Sequence, residues 1–89
     1  MPPAFELVLT PLFRRDLESL PAPSQKRVLA AIRKLERDPF DPPPKIKKLK
    51  GAGVGQWRLV FWPYRVRYDV AGGQVVLYRV RHRRDVYRG

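Results

Sequence analysis

Tyr64-Arg65-Val66-Arg67-Tyr68-Asp69-Val70 alternates without a break between apolar and charged side chains. A period of two places Tyr64, Val66, Tyr68 and Val70 on one face of a strand and Arg65, Arg67 and Asp69 on the other. The run just before it, Trp57-Arg58-Leu59-Val60-Phe61, has the same period, with Trp57, Leu59 and Phe61 opposite Arg58 and Val60. Trp62-Pro63 separates the two runs. As a two-residue turn it pairs Phe61 with Tyr64, Val60 with Arg65 and Arg58 with Arg67. The apolar sets then coincide on one side of the sheet and the arginines on the other. A slip of one residue would mix them, so the pattern itself selects the register.

Ala71-Gly72-Gly73 follows as a hairpin turn with glycine available for positive φ. Gln74 to Val80 is the next strand, apolar on both sides, as a central strand would be. A three-residue loop puts Arg79 and Arg81 on the arginine face; a two-residue loop buries them. Buried, unpaired arginines are costly, which favours the longer loop. Arg81-His82-Arg83-Arg84-Asp85-Val86-Tyr87-Arg88 is a basic tail leaving the sheet.

Ahead of this sheet stand one strand and two helices. Phe5-Glu6-Leu7-Val8-Leu9 is short and β-prone. Thr10-Pro11 is a helix start, with Thr as N-cap and Pro in the first helical position. Phe13, Leu17 and Leu20 form one apolar stripe, and Pro21-Ala22-Pro23 stops that helix. Ser24 caps a second helix carrying Val28, Ala31, Ile32 and Leu35 on its apolar face, and Asp38-Pro39 ends it. The order β-α-α-β-β-β predicts a single α+β domain over residues 1–89. A helical hairpin covers one face of a small, mainly antiparallel four-stranded sheet, and the arginine face stays open.

Charge narrows the partner. Nineteen Lys and Arg against eight Asp and Glu give +11 on 89 residues, which attracts polyanions, nucleic acid first among them. An acidic partner that masks the same surface is compatible with this. Lys45, Lys47, Lys48 and Lys50 lie in KIKKLKGAGVG, whose glycines predict a loop rather than a strand, and these lysines could steer a phosphate backbone. The chain has no cysteine and one histidine, so no metal site or cofactor is expected. No apolar run is long enough to span a membrane. The first residues lack a signal-peptide pattern, so a cytoplasmic protein without membrane partners is expected.

The strings L(x2)LP, DP, KLKG, W-R-L, YRVRYDV and V-x-H-R-x-D-V-Y, in this order from Phe5 to Arg88, closely resemble the RelE/ParE toxin superfamily of bacterial toxin–antitoxin modules. The RelE branch, which the resemblance favours, cleaves messenger RNA in the ribosomal A site. The ParE branch poisons DNA gyrase and lacks a nuclease site. A nucleic-acid-binding relative with a decayed site is a further alternative. The resemblance implies a RelE-like fold, a cognate antitoxin whose acidic or amphipathic segment covers the basic surface, and mRNA and ribosome as partners. It assigns catalytic positions to Arg58, Arg65, Arg81 and Tyr87. A second basic position on the same strand falls on Val60, a departure for which His82 would compensate.

Cutting RNA without a metal requires deprotonating the 2′-OH, neutralising the pentavalent phosphate and reprotonating the 5′-oxygen. Guanidinium forks suit the second task, expected of Arg65 and Arg81 with Arg58 alongside. His82 is the expected proton-transfer group, since imidazole changes charge near neutrality. Tyr87 would stack on a base or orient the ribose. Arg67 and Arg83 would add RNA contacts. Tyr64 and Tyr68 are expected in the core, and Trp62, beside the turn, is expected to be exposed.

Overall fold

The computed structural model describes residues 4–40, 46–48 and 55–86. Thr10 turns the chain from strand β1 (Glu6–Leu9) into helix α1 (Pro11–Glu18). Its hydroxyl accepts the Phe13 N–H at 3.2 Å and donates to the Leu77 carbonyl at 2.8 Å, so one side chain caps the helix and pins it to the sheet. Helix α2 (Ala22–Arg33) begins two residues before the expected cap. Pro21 holds the N-cap position without a side-chain bond, and Pro23 fits the first turn because it needs no amide there. Ser24 therefore lies inside the helix, where its Oγ accepts the Tyr64 hydroxyl at 2.7 Å. A 3₁₀ turn (Lys34–Glu36) finishes this segment.

The sheet has five strands in the order β1-β5-β4-β3-β2, with β2 Ile46–Lys48, β3 Trp57–Phe61, β4 Tyr64–Ala71 and β5 Gln74–His82. Strand β1 runs parallel to β5, and the other pairs are antiparallel. The expected loop at Ile46–Lys48 is thus a short edge strand on β3, which makes the sheet one strand wider than expected. Lysines are common at sheet edges because their charge discourages further pairing. A four-residue helix, α3 (Arg83–Val86), closes the described chain.

The β3–β4 register is the one the alternation demanded: Phe61 faces Tyr64, Val60 faces Arg65, and Arg58 faces Arg67. The β4–β5 hairpin corrects the loop argument. Its turn is the two residues Gly72-Gly73, at φ +56° and +75°, with Ala71 opposite Gln74. The parity changes further along, where Tyr68 pairs with Leu77 but Arg67 with Arg79. Tyr78 is the extra residue of a β-bulge. The cost of burying arginine is avoided, but by a bulge in the strand rather than by a longer loop.

Phe13, Val28, Ile32 and Leu35 from the helical layer meet Leu59, Tyr64, Val66, Tyr68, Val75, Leu77 and Val80 from one sheet face. Each large apolar side chain buried this way contributes about 1.5–3 kcal/mol. Tyr68 is fully buried and donates its hydroxyl to the Pro39 carbonyl at 2.6 Å. Burial, and then the Asp38 charge, push its pKa well above the ordinary tyrosine value of about 10. Unfolding restores that ordinary value, so the stability held in the neutral phenol is complete below about pH 10 and is lost as pH rises beyond it. Denaturant titrations along an alkaline pH series should show the midpoint falling above about pH 10, less steeply in Tyr68→Phe.

Candidate nucleic-acid interface

The face of the sheet turned away from the helices carries two rows of side chains in register. Arg58, Arg67 and Arg79 form one row across β3, β4 and β5, and Lys47 of β2 occupies the next register position beside Arg58. Val60, Arg65 and Arg81 form the second row. Directly opposed residues lie about 5 Å apart and diagonal ones about 7–8 Å, well within the sweep of a guanidinium. Arg58, Arg65 and Arg81 therefore share one face.

Two of these cations, Arg79 and Arg67, are anchored by the fold. Arg79 forks onto Asp16 of α1, Nε to Oδ2 at 2.7 Å and Nη2 to Oδ1 at 3.1 Å. The same carboxylate accepts the Val80 N–H at 3.2 Å, where β5 has run past the end of β1. Arg67 Nε donates to the Gly55 carbonyl at 2.6 Å. Asp69 completes that clamp by accepting the Gly55 and Gln56 amides at 2.9 and 2.7 Å. Gly55 is needed there, since its φ is +69° and an added Cβ would stand 3.3 Å from Arg67 Cβ. Arg67 and Arg79 thus anchor segments of the fold, with Asp16 engaged by Arg79 and Asp69 by the Gly55 and Gln56 amides.

Arg58 and Arg81 are not anchored in this way. Arg81 is exposed and has no hydrogen-bond or ionic partner among the described residues. Arg58 Nε is buried with no partner among them, a donor that an oxyanion would satisfy. Arg65 stands half-buried between the strands of both.

His82 is not in this group. It pairs with Tyr64, whose ring is buried on the helix side, and the two rings meet edge-on at 5.4 Å. Its Nδ1 accepts the Arg84 N–H at 3.0 Å. The expectation that His82 works among the arginines is corrected by one residue of parity: Arg81 faces outward, so His82 faces inward. Arg65 pairs with Val60 and Arg81, and the adjacent row on that face is Arg58, Arg67 and Arg79, none of these a carboxylate or imidazole. Arg83 lies over the Trp62 indole, and Trp62 is exposed as expected. Tyr87, Lys45 and Lys50 fall outside the described residues, and Lys47 and Lys48 are described as part of β2.

Sequence reasoning missed three contributors. The bulge brings Tyr78 to the rim of an open cleft of about 530 Å³, shared with Thr10, Pro11, Leu12, Arg67 and Arg79. Burial, the Asp69 charge and a hydrogen bond to that carboxylate raise the Tyr78 pKa, which keeps it a neutral phenol. Asp69 was legible as a member of the arginine face but not as the acceptor of the Gly55 and Gln56 amides, and nothing in the sequence marked Asp16 as the partner of Arg79.

Residues 7–87 match a family model described as the ParE toxin of the type II toxin–antitoxin system parDE. No curated protein matches the sequence. The fold is similar to the toxin–antitoxin complex RelBE2 from Mycobacterium tuberculosis, with 27% identity, a TM-score of 0.77, and coverage of 92% of this chain and 99% of that one. It is similar to the RelB–RelE complex of Methanococcus jannaschii, with 26% identity, a TM-score of 0.71, and coverage of 91% and 95%. A YoeB/ParE toxin from Agrobacterium tumefaciens matches with 25% identity, a TM-score of 0.68, and coverage of 88% and 98%.

Proposed function

The chain belongs to the ParE toxin family of type II toxin–antitoxin systems, within the RelE/ParE superfamily, and from that premise we propose that it is a ribosome-dependent endoribonuclease held silent by a cognate antitoxin. The observation that carries this reading is the common face of Arg58, Arg65 and Arg81, set by two strand registers. Arg65 and Arg81 grip the non-bridging oxygens of a phosphodiester, and Arg58 supplies a further donor. The 2′-OH gives up its proton to solvent water and attacks the phosphorus, the guanidinium groups stabilise the charge of the pentavalent state, and the P–O5′ bond breaks as the 5′-oxygen takes a proton from water. The products are a 2′,3′-cyclic phosphate and a 5′-hydroxyl.

A site rich in cations and poor in neighbouring bases depends on a substrate already aligned for attack. A codon held on the ribosome meets that need, which is why the reading includes the ribosome. His82 serves here by fixing the end of β5 against Tyr64. His82→Gln should therefore lose far less cleavage than the roughly 10²–10⁴-fold that follows removal of a general acid or base. Single-turnover cleavage on programmed ribosomes measures it directly.

A second reading is favoured by Val60, which occupies the β3 position of the row it shares with Arg65 and Arg81. A toxin short of one cation could act as a ParE-type gyrase inhibitor that binds without cutting. One experiment separates the two: brief expression with transcript ends mapped on translating ribosomes, beside a gyrase supercoiling assay. Cuts inside ribosome-occupied codons support the nuclease. Blocked supercoiling with intact transcripts supports the gyrase reading and removes the first.

A further inference from the structure

Trp62 is 62% exposed, more than any other large apolar side chain among the described residues. A single exposed apolar residue is ordinary. This one is held in place from several sides. Its carbonyl accepts Arg27 Nη2 of α2 at 2.6 Å. The next carbonyl, that of Pro63, accepts the Arg83 N–H at 2.7 Å. The Arg83 guanidinium carbon stands 4.6 Å from the indole centroid, a cation–π stack. Exposed indole surface is thus fixed by α2, a proline turn and the first residue of α3.

Its position gives this arrangement a use. Trp62 lies in the turn that leads into β4, three residues before Arg65. Arg83 follows Arg81 by two, and Arg65 and Arg81 are a direct cross-strand pair. The indole and its guanidinium therefore sit at the same end of the sheet as the arginines that face a phosphate. We propose that Trp62 and Arg83 form a stacking platform for an unpaired RNA base next to the gripped phosphodiester. This rests on the arginine face being an RNA site. Single-stranded RNA is held by stacking on aromatic rings and guanidinium planes, and such stacking tolerates any base because every base has a π-face. Trp62 acts as a positioning residue: it fixes the nucleoside while the arginines hold the phosphate.

The test uses the full chain, freed of antitoxin, with two probes of equal length: a single-stranded oligoribonucleotide and its abasic ribose-phosphate counterpart. Trp57 packs edge-on against Phe40 at 5.0 Å and gives a background emission that Trp62→Phe isolates. The base-bearing probe should quench tryptophan fluorescence, and Trp62→Phe should abolish the quench while keeping affinity within about threefold. Trp62→Ala should weaken the base-bearing probe by about 5- to 100-fold and leave the abasic probe unchanged. Equal quenching by both probes, or equal weakening of both, overturns the platform. So does quenching by an antitoxin peptide with none by RNA, which would make the indole a protein contact. Base-dependent quenching with uncut transcripts would instead reject the nuclease reading and leave the platform standing.

Discussion

Arg65→Ala should lower transcript cleavage on programmed ribosomes by about 10²–10³-fold, the range seen when one preorganised donor to a developing oxyanion is removed. Arg81→Ala should fall in the same range, because the two side chains are direct cross-strand partners facing one anion. The double variant should be little worse than either single one, since donors acting as a unit do not add. Arg65→Lys should recover only part of the loss: an ammonium keeps the charge but not the planar fork that matches a phosphate. Circular dichroism would check that each variant keeps its sheet. Cleavage within a few-fold of the parent for folded Arg65→Ala would remove the arginine face from the chemistry.

Phe13→Ala should cost about 3–5 kcal/mol and lower the melting temperature by on the order of 15–30 °C. Phe13 is fully buried and is the one buried side chain of α1. The rest of that helix is tied down by polar contacts, Thr10 to Leu77 and Asp16 to Arg79 and Val80. Emptying the Phe13 site leaves a cavity that an eight-residue helix cannot close by shifting without breaking those bonds. A domain of this size has only about 5–15 kcal/mol in hand, so the loss is a large share of the total. Calorimetry reads it directly, and a shift of only a few degrees would show that α1 is held mainly by its polar contacts.

The parts of the fold that were legible in the sequence are those where two independent patterns had to agree. In β3 and β4 both strands alternate, the turn between them is short, and only one register keeps arginine out of the core. The helical stripes Phe13-Leu17-Leu20 and Val28-Ile32-Leu35 were legible for the same reason, since spacing and flanking prolines concurred. Strand β2 was not, because lysines and glycines at a sheet edge look like a loop: the strand is defined by its partner rather than by its own residues. The start of α2 was misplaced because Ser24 is a good cap by type, yet Tyr64 claims its hydroxyl. The shared face of Arg58, Arg65 and Arg81 was legible through parity, and the same rule sets His82 beside Tyr64 rather than beside Arg65. Adjacent residues in a strand point to opposite sides, so Arg81 and His82 cannot both face one ligand while β5 stays extended.

The irregularity at Tyr78 gives β5 one expendable position. Losing Val80 would swing Arg81 inward and put a charge against Val66 and Ile32. Losing Tyr78 would do the opposite. The ladder would become regular, Arg79 would still stand beside Arg67, and Arg81 beside Arg65. The phenol next to Asp69, the Tyr78 edge of the cleft and the contact of the Tyr78 carbonyl with Thr10 would be forfeited. A protein with this architecture can therefore shorten its last strand by one residue without disturbing either its interior or its cationic surface, provided the cut falls at that single place.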